Sequence, residues 1–193
     1  MKSRGNRMIY LLVAVLVVID QVVKFIIVNN VDVHEKIPVI ANFFSITHVK
    51  NTGGAFSFLA EKGWGIYFLA SMSLVISVIL LVVISRLKGK EMYWIRLATA
   101  VLAGGSIGNM IDRFFRRSVV DFLMFDFGKY TFPVFNVADM CIVVGSFSLA
   151  LFLLFDKRLM REEDGDSEAV DKAGKTAAVG SSDESSDSES AGE

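Results

Sequence analysis

The chain reads as a mainly α, polytopic membrane protein: four transmembrane helices with a small extracytoplasmic β-sheet. Three observations predict this. Four apolar segments, residues 8–28, 64–84, 93–111 and 134–155, each approach the ~20 residues that cross the hydrocarbon core as a helix. The composition is 53% hydrophobic with 16 Phe and only two prolines, a balance unusual for a soluble domain. Between the third and fourth segments, two aromatic-rich runs, VVDFLMFDF and YTFPVF, flank a Gly-Lys pair in the manner of a β-hairpin.

The first segment follows a basic N-terminus (MKSRGNR), an arrangement resembling a secretory signal. No small-x-small cleavage site follows, and Asp20, Gln21 and Lys24 come next, so an uncleaved signal anchor is expected. The long loop after it contains FFSITHVK, which has β character, broken by residues 51–54. Basic residues set the orientation. Lys2, Arg4, Arg7, Arg86, Lys88, Lys90, Arg96, Lys157, Arg158 and Arg161 fall on one side. Lys36, Lys50, Lys62, Arg113, Arg116, Arg117 and Lys129 are spread over longer loops on the other. The bias places both termini in the cytoplasm. Asp20, Lys24, Asn109, Arg113, Asp121, Asn136 and Asp139 then converge on the outer face.

The net charge of −1 conceals two regions of opposite sign. Residues 162–193 carry eleven acids against two lysines and end in GSSDESSDSESAGE. Such a segment cannot bury enough apolar surface to offset its chain entropy, so a disordered tail without a catalytic role is expected after a membrane domain of residues 1–161. The only cysteine, Cys141, lies in an apolar run, and His34 and His48 are isolated. This excludes an intramolecular disulfide and argues against a Cys/His metal site and a Cys–His nucleophilic pair. Cys141 reads as a small buried apolar residue. Neither a metal nor another cofactor is expected.

Asp121 and Asp139 carry the chemistry. Each is an acid in mostly apolar surroundings, VVDF and FNVADM, and a carboxylate at the membrane is costly unless it is paired or working. Two carboxylates that meet resist joint ionisation and share a proton. One then serves as general base toward water and the other as acid toward a carbonyl oxygen or a leaving amine. This is peptide hydrolysis without metal or acyl-enzyme. Asn136 and Asp139 also have the spacing of a capping box. Asp20 and Lys24, four apart, read equally as an ion pair and as functional residues. Ala100, Gly104 and Gly108 form a small-residue ridge for close helix packing, while Gly105, Asn109 and Arg113 share the adjacent face. An amide and a guanidinium there suit a peptide backbone or a phosphate head group. Asp112 reads as a partner for a nearby cation.

With these residues assembled, the chain resembles the lipoprotein signal peptidase (signal peptidase II) family. Five blocks carry the resemblance in order: IDQVVK, NTGGAFSF, GGSIGNMIDR, VVDF and FNVADMCI, together extending over most of residues 8–155. The resemblance implies a bacterial inner-membrane aspartic protease that removes signal peptides from prolipoproteins, cutting before a diacylglyceryl-cysteine. It implies that Asp121 and Asp139 are the catalytic dyad. Asn51, Asn109, Arg113 and Asn136 would hold substrate or order the site, with Asp20, Lys24 and Gly54 in support. It further implies lipid contacts and globomycin-type inhibitors, and no nucleic-acid partner. The second block departs from the family pattern of two alanines, an aromatic and a glycine, because Gly54 and Ser57 stand in it.

Two other classes fit some of the same residues. A proton-coupled carrier also uses intramembrane acids, but its path needs polar groups through the full depth, whereas these cluster at one face. A non-enzymatic factor that holds signal helices would tolerate loss of either Asp.

Overall fold

The computed structural model describes residues 2–53, 64–89 and 92–155, with side chains from Arg7 onward. Gly54 and Ser57, Lys90, Lys157, Arg158, Arg161 and the acidic tail lie outside the described residues. Two compact units are distinguished, residues 1–151 and 152–193.

The element order is α1 (Lys2–Asn30), β1 (Lys36–Ile40), β2 (Phe44–Asn51), α2 (Gly65–Arg86), α3 (Tyr93–Arg116), β3 (Val119–Phe127), β4 (Tyr130–Thr131) and α4 (Val137–Phe155). Each expected helix is present. Three segments, Arg7–Asn30, Gly65–Arg86 and Val137–Phe155, are long and apolar enough to cross a membrane. Their outward side chains remain exposed, as at Leu11 (63%) and Val143 (67%), which suits a lipid surround.

The third expected span differs. At 24 residues α3 is long enough, about 36 Å, but Arg96, Asn109, Asp112, Arg113 and Arg116 keep it out of the apolar class. Its small and polar residues are turned inward instead. Ala98, Ala100, Ala103, Gly104, Gly105, Gly108, Asn109 and Asp112 are all buried. α3 is thus the helix around which the others pack, and Asn109, Asp112 and Arg113 reach side chains on neighbouring elements.

The ridge on α3 works by allowing contact. A Cβ on Gly104 would lie 3.0 Å from Leu16 Cβ, and one on Gly108 would lie 2.5 Å from Asp20 Oδ2, so this face meets α1. A Cβ on Gly105 would lie 2.9 Å from Cys141 Cβ, which brings α4 against the adjacent face. Ile9, Val13, Ile84, Ala100 and Ala103 form an apolar core where α1, α2 and α3 meet.

The four strands form one antiparallel sheet in the order β1-β2-β3-β4. The hairpin read from the sequence is present. Phe127 pairs with Tyr130 across a turn in which Gly128 has φ +69°, a conformation that costs a side-chain-bearing residue. The partner strand β4 is only two residues long, since Pro133 follows and cannot donate to a ladder. β1 was not anticipated. All five of its residues are exposed and it contains Pro38, so it lacks the alternation that marks a strand. The sheet is anchored by Ile27 and Val31 at the end of α1 packing on Val120 and Phe122. Phe125 stacks on Phe44 and Phe135, with ring centroids 4.8 and 5.8 Å apart, and meets Phe43 edge-on at 5.5 Å.

Candidate active site

β3 begins directly after α3. Arg117, in the left-handed region at φ 55°, ends the helix and turns the chain into the strand. Alternation along β3 then sends Val120 and Phe122 to the apolar core and Val119 and Asp121 to the opposite face. Asp121 is buried. In the β2–β3 register Val49 faces Asp121 and Asn51 faces Val119, so Asn51 is the diagonal neighbour of Asp121 on one face. Its amide donates to Asp121 Oδ2 at 3.0 Å.

Asp139 occupies the first turn of α4, and the capping box is formed. The Asp139 amide donates to Asn136 Oδ1 (2.9 Å), and the Asn136 amide donates to Asp139 Oδ2 (3.2 Å). The fully buried Asn136 also donates from Nδ2 to Asp121 Oδ1 at 2.6 Å. One residue therefore holds both carboxylates. Asn109 completes the frame, donating to Asp139 Oδ1 at 2.7 Å.

Around this pair lie the other groups named from sequence. Lys24 and Asp20 are buried and form the i,i+4 ion pair at 2.9 Å. Asp20 also accepts the Ala138 amide at 2.9 Å, so a carboxylate from α1 satisfies one orphan donor at the start of α4. Arg113 donates to Ser73 Oγ of α2 at 3.1 Å, and its charge acts on Asp139 and Asp121. Every candidate site residue among those described belongs to this constellation. Gly54 lies outside the described residues.

Three participants were not singled out from sequence as site residues. Gln21 bridges Asp20 (3.2 Å), Asp112 (3.2 Å) and the Gly108 carbonyl (3.1 Å). Asp112 is fully buried, pairs with Lys24 at 2.9 Å and with Arg116, and accepts the Val120 amide at 3.2 Å. Ser73 holds Arg113. Asp112 has the cation partners its sequence context suggested, but they are Lys24 and Arg116 rather than the adjacent Arg113. Gln21 and Ser73 look like ordinary polar residues of a helix, and only tertiary contact reveals them.

Burial dominates the electrostatics at Asp121. Burial pushes the Asp121 carboxyl from 3.8 up to about 6, and the Asp139 charge adds to this, against the opposing hydrogen bonds from Asn51 and Asn136 and the attraction of Lys24. Among the described residues, no group of three or more His, Cys, Asp or Glu is arranged to hold a metal ion.

Residues 12–155 match the family model for signal peptidase (SPase) II. The lipoprotein signal peptidase of Pseudomonas syringae is 39% identical over 156 residues, covering 79% of this chain and 90% of its own. That of Pseudomonas putida is 40% identical over 159 residues, covering 81% and 92%. That of Listeria monocytogenes is 37% identical over 149 residues, covering 77% and 94%. Two solved bacterial membrane enzymes share the architecture. One, determined by the in meso method at 2.3 Å, has a TM-score of 0.67 at 30% identity over 78% of this chain and 89% of its own. The other, at 1.9 Å, has a TM-score of 0.63 at 28% identity over 77% and 94%. Matched from its first helix to its last, the chain belongs to the signal peptidase II family.

Proposed function

We propose that this chain is an intramembrane aspartic endopeptidase that removes signal peptides from diacylglyceryl-modified prolipoproteins, cutting before the lipid-bearing cysteine. Family membership supports signal-peptide cleavage. The aspartic chemistry is supported by one observation above all: Asn136 donates to Asp121 from its side chain and to Asp139 from its backbone.

The mechanism follows from that frame. An Asp121 carboxyl pushed up to about 6 holds its proton to higher pH than an ordinary carboxyl, as the acid member of such a pair must. The ionised member takes a proton from water as its oxygen attacks the scissile carbonyl. The protonated member donates to the carbonyl oxygen, and a proton then passes to the leaving amine as the C–N bond breaks. The two acids titrate as a pair, so base and acid are roles of the dyad. Asn51, Asn109 and Asn136 restrict the carboxylates, and Arg113 offers a cation to a substrate carbonyl or head group.

The acyl chains and signal helix of the substrate prefer lipid, so the work is done where water and lipid meet. On this reading residues 1–161 form the peptidase domain, both termini are cytoplasmic, and the dyad opens at the outer face of the inner membrane. Globomycin-type cyclic peptides would compete for the same cleft.

The test uses purified Asp121→Asn and Asp139→Asn with a synthetic diacylglyceryl-modified precursor and a gel-shift readout. Both variants are expected to purify as folded membrane proteins and to lose on the order of 10³-fold in kcat, within the range for removing a general acid or base. Full cleavage by either removes the dyad from the mechanism. EDTA should leave wild-type activity unchanged; strong inhibition would point to a metal instead.

A further inference from the structure

The buried charges beside the dyad are unusually specific in what they grip. The three donors of the Lys24 ammonium go to Asp20 Oδ2, Asp112 Oδ2 and Asn109 Oδ1, each at 2.9 Å. The second oxygen of Asp20 accepts the amide of Ala138, the residue before Asp139. Asp112 accepts the amide of Val120, the residue before Asp121. The third arm, Asn109, donates to the Asp139 carboxylate itself.

We infer that Lys24 is a positioning residue that sets the separation of the two dyad carboxylates. Through Asp20 it fixes the start of α4, and through Asp112 it fixes the start of β3, each one residue short of a dyad acid. This deepens the aspartic-dyad reading and rests on it. Lys24 need not touch the substrate. It also settles which way the Asn109 amide faces: with Oδ1 engaged by the ammonium, Nδ2 must point to Asp139. Gln21 and Arg116 fill the remaining sites on Asp112, so the cluster combines two cations with two carboxylates and is neutral. Buried ions left without a partner are strongly destabilising, which ties the geometry of this cluster to the intact set.

The dyad also feels charge directly. Facing it are Lys24 from α1 and Arg113 from α3, with the Asn51 amide from β2 and the Ser73 hydroxyl of α2 behind Arg113. A change in dyad spacing, or loss of the ammonium, therefore alters the pH–rate profile and not only the yield of folded enzyme.

Three variants test this on the full chain in lipid: Lys24→Met, Lys24→Arg, and the charge-balanced pair Lys24→Met with Asp112→Asn. Rates with the diacylglyceryl-modified precursor are taken per folded molecule, as counted by size-exclusion chromatography. The expected result is a fall in kcat of about 100-fold for Lys24→Met and about 10-fold for Lys24→Arg, with KM within about 2-fold of wild type. The alkaline limb of the Lys24→Met profile, set by loss of the Asp121 proton, should move to higher pH. The Lys24→Arg variant keeps the charge and should fold even where Lys24→Met does not. Wild-type kcat and a superimposable pH profile in Lys24→Arg or the double variant overturn the inference and leave a cluster that only stabilises the fold. Cleavage retained by Asp121→Asn would instead remove the dyad reading beneath it, so the two failures are distinguishable.

Discussion

At Asp121, burial and the neighbouring Asp139 charge favour the proton, while the Asn51 and Asn136 amides and the Lys24 ammonium favour the anion. Removing one donor shifts this balance in a known direction. Asn51→Leu deletes a hydrogen bond that stabilises the charged form, so the alkaline limb of the pH–rate profile, where Asp121 gives up its proton, should move upward from near 6, with kcat falling about 10-fold. Stability carries the same sign. A carboxyl whose folded pKa lies above its unfolded value contributes stability below pH 3.8 and loses it as pH rises through about 6. The Asp121→Asn variant has no such loss, so thermal unfolding should show it gaining on wild type between pH 4 and 7, by at most about 3 kcal/mol. These residues were legible in the sequence because acids and amides in apolar runs demand partners. Which partner each takes was less so: Asp112 lies next to Arg113 in sequence, but consecutive helical residues point in different directions, and it turns to Lys24 and Arg116.

Each helix was readable from its apolar run, yet what its polar positions touch was not. Glycine spacing on α3 announced close packing, and the structure distinguishes the glycines by neighbour. At Gly104 an added methyl meets Leu16 Cβ at 3.0 Å, so α1 must move by a few tenths of an ångström; at Gly108 it meets the Asp20 carboxylate at 2.5 Å, which is held by Lys24 and Ala138. Gly104→Ala should therefore be the milder of the two. Gly108→Ala should cost about 1–3 kcal/mol and lose activity out of proportion, checked by thermal unfolding and cleavage rate in the same detergent. The start of α4 makes a similar pairing of stability with function. Asn136→Ala loses a helix cap, about 1 kcal/mol, together with the bond to Asp121, so a modest drop in Tm should accompany roughly a 100-fold loss of kcat. Strand β1 escaped notice because five exposed residues around a proline offer no pattern; its place is set by pairing with β2.

Taken as one molecule, the protein confines its polar machinery to the ends of α1, α3 and α4 and to one face of the sheet, while α1, α2 and α4 present apolar side chains outward. The helical architecture and the sheet were both visible beforehand, since ~20-residue apolar runs and a Gly-centred hairpin are strong local signals. The exception is α3, which turns its small and polar residues inward while Trp94, Phe114 and Phe115 stay exposed, so its polar side chains meet protein rather than lipid. Truncation after residue 161 should leave cleavage of a lipidated precursor within about 2-fold of wild type if the acidic tail has no catalytic part. Reporter fusions at the two ends should both report the cytoplasm. The double duty of Asn136 has a further consequence for how such a protease is made. On the dyad reading, the residue that begins the last helix also joins the two acids, so the working pair is assembled only once the final segment of the polypeptide has docked.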